Sequence, residues 1–166
     1  MFMLFLAPDV VVVGRYDPQH DEANAALLDR NARRLAEVAT SRGPMKVHRL
    51  PMPSHDDEIW RSYTNVVILP KTILVPTYTG DDPKQQREAM KVLARASGRK
   101  AVGFNSDTLI ENEGALHCVT VGLPPSRALR EAVAKVRGGE FLKTPRPVRV
   151  ARRRAQKAGP GENPRP

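Results

Sequence analysis

The sequence predicts an α/β fold made of two copies of a strand–strand–helix–strand unit, followed by a disordered basic tail. Short apolar runs bounded by Pro, Gly and Asp alternate with two longer stretches whose apolar residues return at helical spacing. The same order of elements occurs twice, at a spacing of roughly 55–60 residues, as in modular architectures. The positive charge gathers at one end: residues 143–166 hold eight of the 27 Lys and Arg but one of the 18 Asp and Glu.

The first unit opens with two strands, 2–6 and 10–16, joined by the turn pair Pro8-Asp9. Asp17-Pro18 interrupts the chain, and 22–40 reads as an amphipathic helix with Leu27, Leu28, Leu35 and Val38 inward. Ser41-Arg42-Gly43-Pro44 ends that helix, a strand follows over 45–50, and Pro51-Met52-Pro53 closes the unit. The second unit begins with a hairpin, 63–69 and 72–77, around Pro70-Lys71. Gly80-Asp81-Asp82-Pro83 breaks the chain, with Pro83 placed as an early helix residue. A helix follows over 84–96, with Ala89, Met90, Val92 and Leu93 inward, and then a strand over 100–105. After the loop 111–114 the pattern predicts a strand over 116–121 and a helix over 126–136.

With 40% apolar and 27% charged residues the body is globular, and at 166 residues it is one domain or a piece of a larger one. Outside the tail the charges nearly balance, so the basic character does not describe the folded body. Five prolines within residues 144–166 exclude a continuous helix or strand there. Such a tail solubilises, or touches anionic polymers by counterion release. The body has no basic patch interleaved with aromatics, so nucleic acid is not the expected partner. The apolar start is cut by Pro8 and Asp9 and is too short to span a bilayer, which argues against a membrane. A single cysteine excludes an internal disulfide and a four-cysteine zinc site; it suits a reducing cytoplasm, and no metal or cofactor site is visible.

That cysteine, Cys118, is by composition alone either a small buried apolar residue or a nucleophile. On a strand its neighbour His117 points to the opposite face and is poorly placed as its base. The surrounding residues add more. Arg61-Ser62-Tyr63-Thr64-Asn65-Val66-Val67-Ile68, Leu74-Val75-Pro76-Thr77-Tyr78 and Asp81-Asp82-Pro83 with Glu88-Ala89 occur in that order. Ala101-Val102-Gly103-Phe104 and Gly114-Ala115-Leu116-His117-Cys118-Val119-Thr120 follow. Upstream stand Val12-Val13-Gly14-Arg15-Tyr16-Asp17-Pro18 and Val47-His48-Arg49-Leu50-Pro51-Met52-Pro53. Together these resemble the C-terminal part of the agmatine deiminase and bacterial peptidylarginine deiminase family, of the guanidine-modifying pentein superfamily.

The resemblance implies an α/β propeller of about five modules, of which this chain holds about two. Residues 1–143 would be the C-terminal part of such a domain and 144–166 its tail. It implies a hydrolase in which Cys118 attacks the carbon of a small guanidinium compound, agmatine or an arginine side chain, with no cofactor. It marks Ser62, Asn65 and Gly114 as candidate substrate-binding residues; a polar strand edge is the alternative for Ser62, Tyr63 and Asn65. The family's His-x-Asp element would lie just before the first strand and has no counterpart here. The histidines present, His20, His48, His55 and His117, read as surface or structural residues, and Trp60 reads as packing. The family's glycine-rich loop is replaced by Glu111-Asn112-Glu113-Gly114, where Glu113 is an outlier.

The chain therefore reads as a truncated form, inactive alone and prone to self-association through exposed module edges. The alternative is a non-catalytic, partner-binding remnant whose tail contacts nucleic acid. Deleting residues 144–166 is expected to abolish any affinity for a labelled oligonucleotide, measured by filter binding at low salt, without altering the reactivity of Cys118.

Overall fold

The computed structural model describes residues 1–122, 126, 131 and 133–135. Residues Met1–Gly122 form one unit, and a second begins at Leu123. The expected helix over 126–136 falls largely, and the expected tail over 144–166 entirely, outside the described residues.

Within Met1–Gly122 the two predicted units are present with identical topology. In the first, β1 (Met3–Ala7) pairs antiparallel with β2 (Val10–Arg15), and β2 pairs in parallel with β5 (Lys46–Pro51). Helix α1 (Glu22–Ala36) makes the crossover, together with a small ribbon of β3 (Ala39–Thr40) and β4 (Gly43–Pro44). In the second, β6 (Val67–Ile68) pairs antiparallel with β7 (Thr72–Thr77), and β7 pairs in parallel with β8 (Lys100–Asn105) through α2 (Pro83–Ser97). A short α3 (Asp107–Ile110) follows. The two three-stranded sheets are separate and open.

Both long helices start where a side chain satisfies the first free amides. Asp21 accepts from the Asn24 backbone N–H at 3.0 Å and caps α1. Asp82 accepts from Lys84 N at 2.9 Å and caps α2, where Pro83 occupies the first turn. Gly98, at φ 64°, ends α2 in the left-handed conformation that glycine adopts without strain.

The unbroken valine run of β2 is explained by burial on both faces. Val11 and Val13 pack with Leu28, Ala32 and Met45 under α1, whereas Val12 joins Leu50, Ile73, Val75, Ala89 and Leu93 on the other side. The second group contains residues of both units, so α2 is the element that joins them. Leu93, Ile73 and Val75 are fully buried there.

Four sequence expectations are corrected. Helix α1 ends at Ala36 instead of running to 40, because Ala39 and Thr40 pair with Gly43 and Pro44 around the positive φ of Gly43. Its inward stripe is Ala25, Leu28 and Ala32 with Leu35 half-buried; Leu27 and Val38 are exposed, since Leu27 lies about 100° around the helix from Leu28. The predicted strand over 63–69 shortens to Val67–Ile68, and the predicted strand over 116–121 is a turn. In that turn the backbone N–H of His117 is committed to Asn65, and that of Thr120 to His117 O, so neither is free for a ladder.

The α1 stripe can be checked directly. Leu28→Ala is expected to cost about 2–5 kcal/mol in urea unfolding, and Leu27→Ala less than about 1 kcal/mol.

Candidate active site

The candidate site is built on residues 62–66, which are buried without belonging to a regular element apart from the approach to β6. Tyr63, Thr64 and Val66 are almost entirely covered, as are Ser62 and Asn65. Buried polar groups must find partners or cost about 1–3 kcal/mol each. Here the partners come from three distant places.

The hydroxyls of Ser62 and Thr64 both reach the carbonyl of Met1, Thr64 Oγ1 at 2.7 Å, and lie 2.7 Å from each other. They fasten the start of β1. Tyr63 OH donates to Asp81 Oδ2 at 2.6 Å, in the loop before α2. Burial, then the Asp81 carboxylate, holds the Tyr63 phenol far above its ordinary range, so it is a donor at any physiological pH. Asp81 is pushed up by burial, against the Tyr63 hydrogen bond. The third partner is the turn that carries Cys118.

This turn is anchored by Ala115 and Leu116, both buried, which leaves His117 and Cys118 exposed at its crest. Asn65 Nδ2 donates to Cys118 Sγ at 3.1 Å, and Asn65 Oδ1 accepts from the His117 backbone N–H at 2.7 Å. Gly114 lies against the cysteine: a Cβ on it would stand 3.0 Å from Cys118 Cβ and 3.7 Å from Sγ. The thiol is held below its ordinary value by the Asn65 amide first and the Ala115 backbone amide next; burial works the other way, and the Met1 ammonium adds a small lowering.

Of the predicted site residues, Cys118, Asn65 and Gly114 therefore come together, while the Ser62 hydroxyl turns to β1. Thr64 shares the Met1 carbonyl with Ser62, and Ala115 is buried beneath the turn that carries the cysteine. Thr64 carried no mark of its own because its partner, the Met1 carbonyl, lies 63 residues away in sequence. The sequence argument that His117 and Cys118 sit on opposite faces of a strand is replaced: they are successive residues of a turn. Among the described residues no imidazole is hydrogen bonded to Sγ.

The histidine that is engaged is His55, whose Nε2 lies 2.7 Å from Asp21 Oδ2. Its ring stacks on Trp60 at 4.0 Å and meets Tyr16 edge-on at 5.4 Å. These contacts tie His55 to the residue that caps α1 and give Trp60, itself more than half exposed, a packing partner. A cavity of about 720 Å³ opens beside Tyr16, Asp21, His55, Asp81 and Glu88; neither Cys118 nor Asn65 lines it. Among the described residues no group of three or more His, Cys, Asp or Glu is arranged to hold a metal ion.

The sequence profile of the family described as Porphyromonas-type peptidyl-arginine deiminase matches residues 1–124. No curated protein matches the chain. Among solved structures, a protein from Porphyromonas gingivalis provisionally named an arginine deiminase superposes with a TM-score of 0.60 at 25% identity, over 74% of this chain and 37% of that one. A cysteine-to-serine variant of the C. jejuni agmatine deiminase with substrate bound superposes with a TM-score of 0.55 at 20% identity, over 70% and 34%. The agmatine deiminase of Enterococcus faecalis gives 0.55 at 22% identity, over 70% and 37%. The chain thus spans little more than a third of the length of the proteins it resembles.

Glu113, the outlier in the loop before the cysteine, has φ 60°, a conformation that disfavours side chains with a Cβ. Glu113→Gly is expected to raise stability by up to about 1 kcal/mol in urea unfolding, because relief of this strain outweighs the added chain freedom.

Proposed function

The chain belongs to the Porphyromonas-type peptidyl-arginine deiminase family, and from that premise we propose that it carries the nucleophile of a guanidine-modifying hydrolase, Cys118. The observation that supports this most is the setting of the thiol. The single cysteine of the chain is exposed at the crest of a turn, with the Asn65 side-chain amide donating to its sulfur in the sense that favours the thiolate.

In the reaction proposed, the thiolate attacks the guanidinium carbon to give a tetrahedral adduct. One nitrogen takes up a proton and leaves as ammonia, so that the carbon remains bonded to sulfur as a thiouronium. Water then adds to this carbon, and the carbon–sulfur bond breaks to return the thiolate. The net change is guanidinium plus water to a ureido group plus ammonium, with no redox step and no cofactor. Agmatine or an arginine side chain is the substrate class; the neighbouring structures named as agmatine deiminases, one with substrate bound, support that class. Gly114 and Asn65 border the carbon that would meet Sγ, and we assign Ser62 to holding β1 rather than to the substrate.

The two ββαβ units are read as two of about five modules of a propeller. Protonation of the leaving nitrogen needs an acid beside Sγ, and none of the described imidazoles is bonded to it. We therefore propose that the chain does not turn over alone. Exposed Met3 and Phe5 on the edge strand β1, and Val102 and Phe104 on β8, favour association with further modules or with a second copy. A free exposed thiol suits the reducing cytoplasm.

A chloroacetamidine, which carries a guanidinium-like cation, tests the reading without requiring turnover. It is expected to alkylate Cys118 faster than neutral chloroacetamide by more than their ratio on a free thiol, and agmatine should protect, as followed by mass spectrometry. Equal relative rates and no protection would sink the proposal. Release of ureido product from agmatine or arginine peptides is expected to be undetectable; turnover that disappears in Cys118→Ala would overturn the incompleteness but not the chemistry.

A further inference from the structure

We propose that Asn65 is a positioning residue for Cys118: its side-chain amide fixes the sulfur in place and stabilises the negative charge that the sulfur carries as a nucleophile. This rests on the reading of Cys118 as the nucleophile and adds to it the residue that prepares it.

The orientation of the Asn65 amide is dictated by chemistry. The backbone N–H of His117 can only donate, so the atom 2.7 Å away must be the carbonyl oxygen Oδ1. The other atom, 3.1 Å from Sγ, is then the NH₂ group and can only donate. The amide cannot flip without setting a donor against a donor. It cannot easily swing either, because Asn65 is 8% exposed and stands between fully covered Thr64 and Val66 at 1%.

A neutral thiol is a weak acceptor, whereas a thiolate accepts a charge-assisted hydrogen bond. The Asn65 NH₂ therefore favours the ionised sulfur, and the buried Ala115 backbone amide acts in the same sense. Gly114 closes another side of Cys118, since a Cβ there would stand 3.0 Å from Cys118 Cβ. The sulfur is thus held by the Asn65 donor and backed by a glycine, yet Cys118 remains exposed to an incoming reagent. Its proton passes to solvent on ionisation, and no other bond changes. A role limited to holding the turn would need Oδ1 alone; the second half of the amide is used on the sulfur.

Cys118 is the only cysteine, so the alkylation of the full chain by iodoacetamide reports on it alone. The rate is measured against pH for the natural chain and for Asn65→Asp, which keeps an oxygen for His117 N–H but sets an acceptor against the sulfur. Asn65→Asp is expected to move the midpoint upward by about one pH unit and to slow alkylation at pH 7 about tenfold. Asn65→Ala should move it in the same direction by less. Circular dichroism identifies any variant that fails to fold. In the natural chain, the Asn65 side-chain ¹⁵N–¹H resonances should titrate with the alkylation midpoint, a readout that needs no substitution.

Profiles of folded variants that superimpose on the natural one would overturn the proposal. So would Asn65 resonances that stay flat through the midpoint, and this second criterion decides the matter if the variants do not fold. None of these measurements uses a guanidinium compound. A chain that shows no preference for the amidine fails the functional reading alone, and a thiol indifferent to Asn65 fails this one alone.

Discussion

Five consecutive covered residues that form almost no regular structure set the terms for the rest of the molecule. Ser62, Tyr63, Thr64 and Asn65 bring four polar side chains into an interior where Val66 and the α2 core exclude water. Without a helix or sheet ladder to absorb them, these groups can be satisfied only by reaching elsewhere. They reach the first residue, the loop before α2 and the turn at Cys118, at separations of 18 to 63 residues. One short segment therefore ties the start of the first unit to the second and to the candidate nucleophile. The apolar contacts around Leu93 supply the driving force, whereas this polar segment supplies the specificity of placement.

The same arrangement explains how an exposed thiol is kept in one position. Exposure by itself gives a mobile side chain with an ordinary thiol. The crest at Cys118 is held from beneath by buried Ala115 and Leu116 and from the side by Asn65, which in turn rests on the core through Val66. A defect at the polar segment would be felt at the sulfur, and a defect of α2 packing would be felt at the segment. Glu113 is the one local element that works against this order, since it holds a left-handed conformation directly before the glycine that packs on Cys118.

Most of the secondary structure was legible because its signals are local. The break Gly80-Asp81-Asp82-Pro83, the turn Pro8-Asp9 and the paired apolar runs located α2, β1, β2, β5, β7 and β8 to within two residues. The failures share a cause. The 63–69 and 116–121 stretches are apolar and strand-like by composition, but their backbone groups bond to side chains and to turn partners that composition does not reveal. The end of α1 was misplaced because Ala39 and Thr40 are compatible with a helix, and the ribbon with Gly43 and Pro44 prevails.

Cys118 was identifiable as the candidate nucleophile from the order of short motifs around it, as were the two repeated units, because both are written in residues near one another in the chain. The thiol's surroundings were not. Whether His117 and Cys118 lie on a strand or a turn, and which half of the Asn65 amide meets the sulfur, depends on a contact between residues 53 apart in sequence. Such a contact exists only once α2 has packed against both sheets and the buried segment has found its partners. Local chemistry could mark the cysteine; only the folded chain could place a donor beside it.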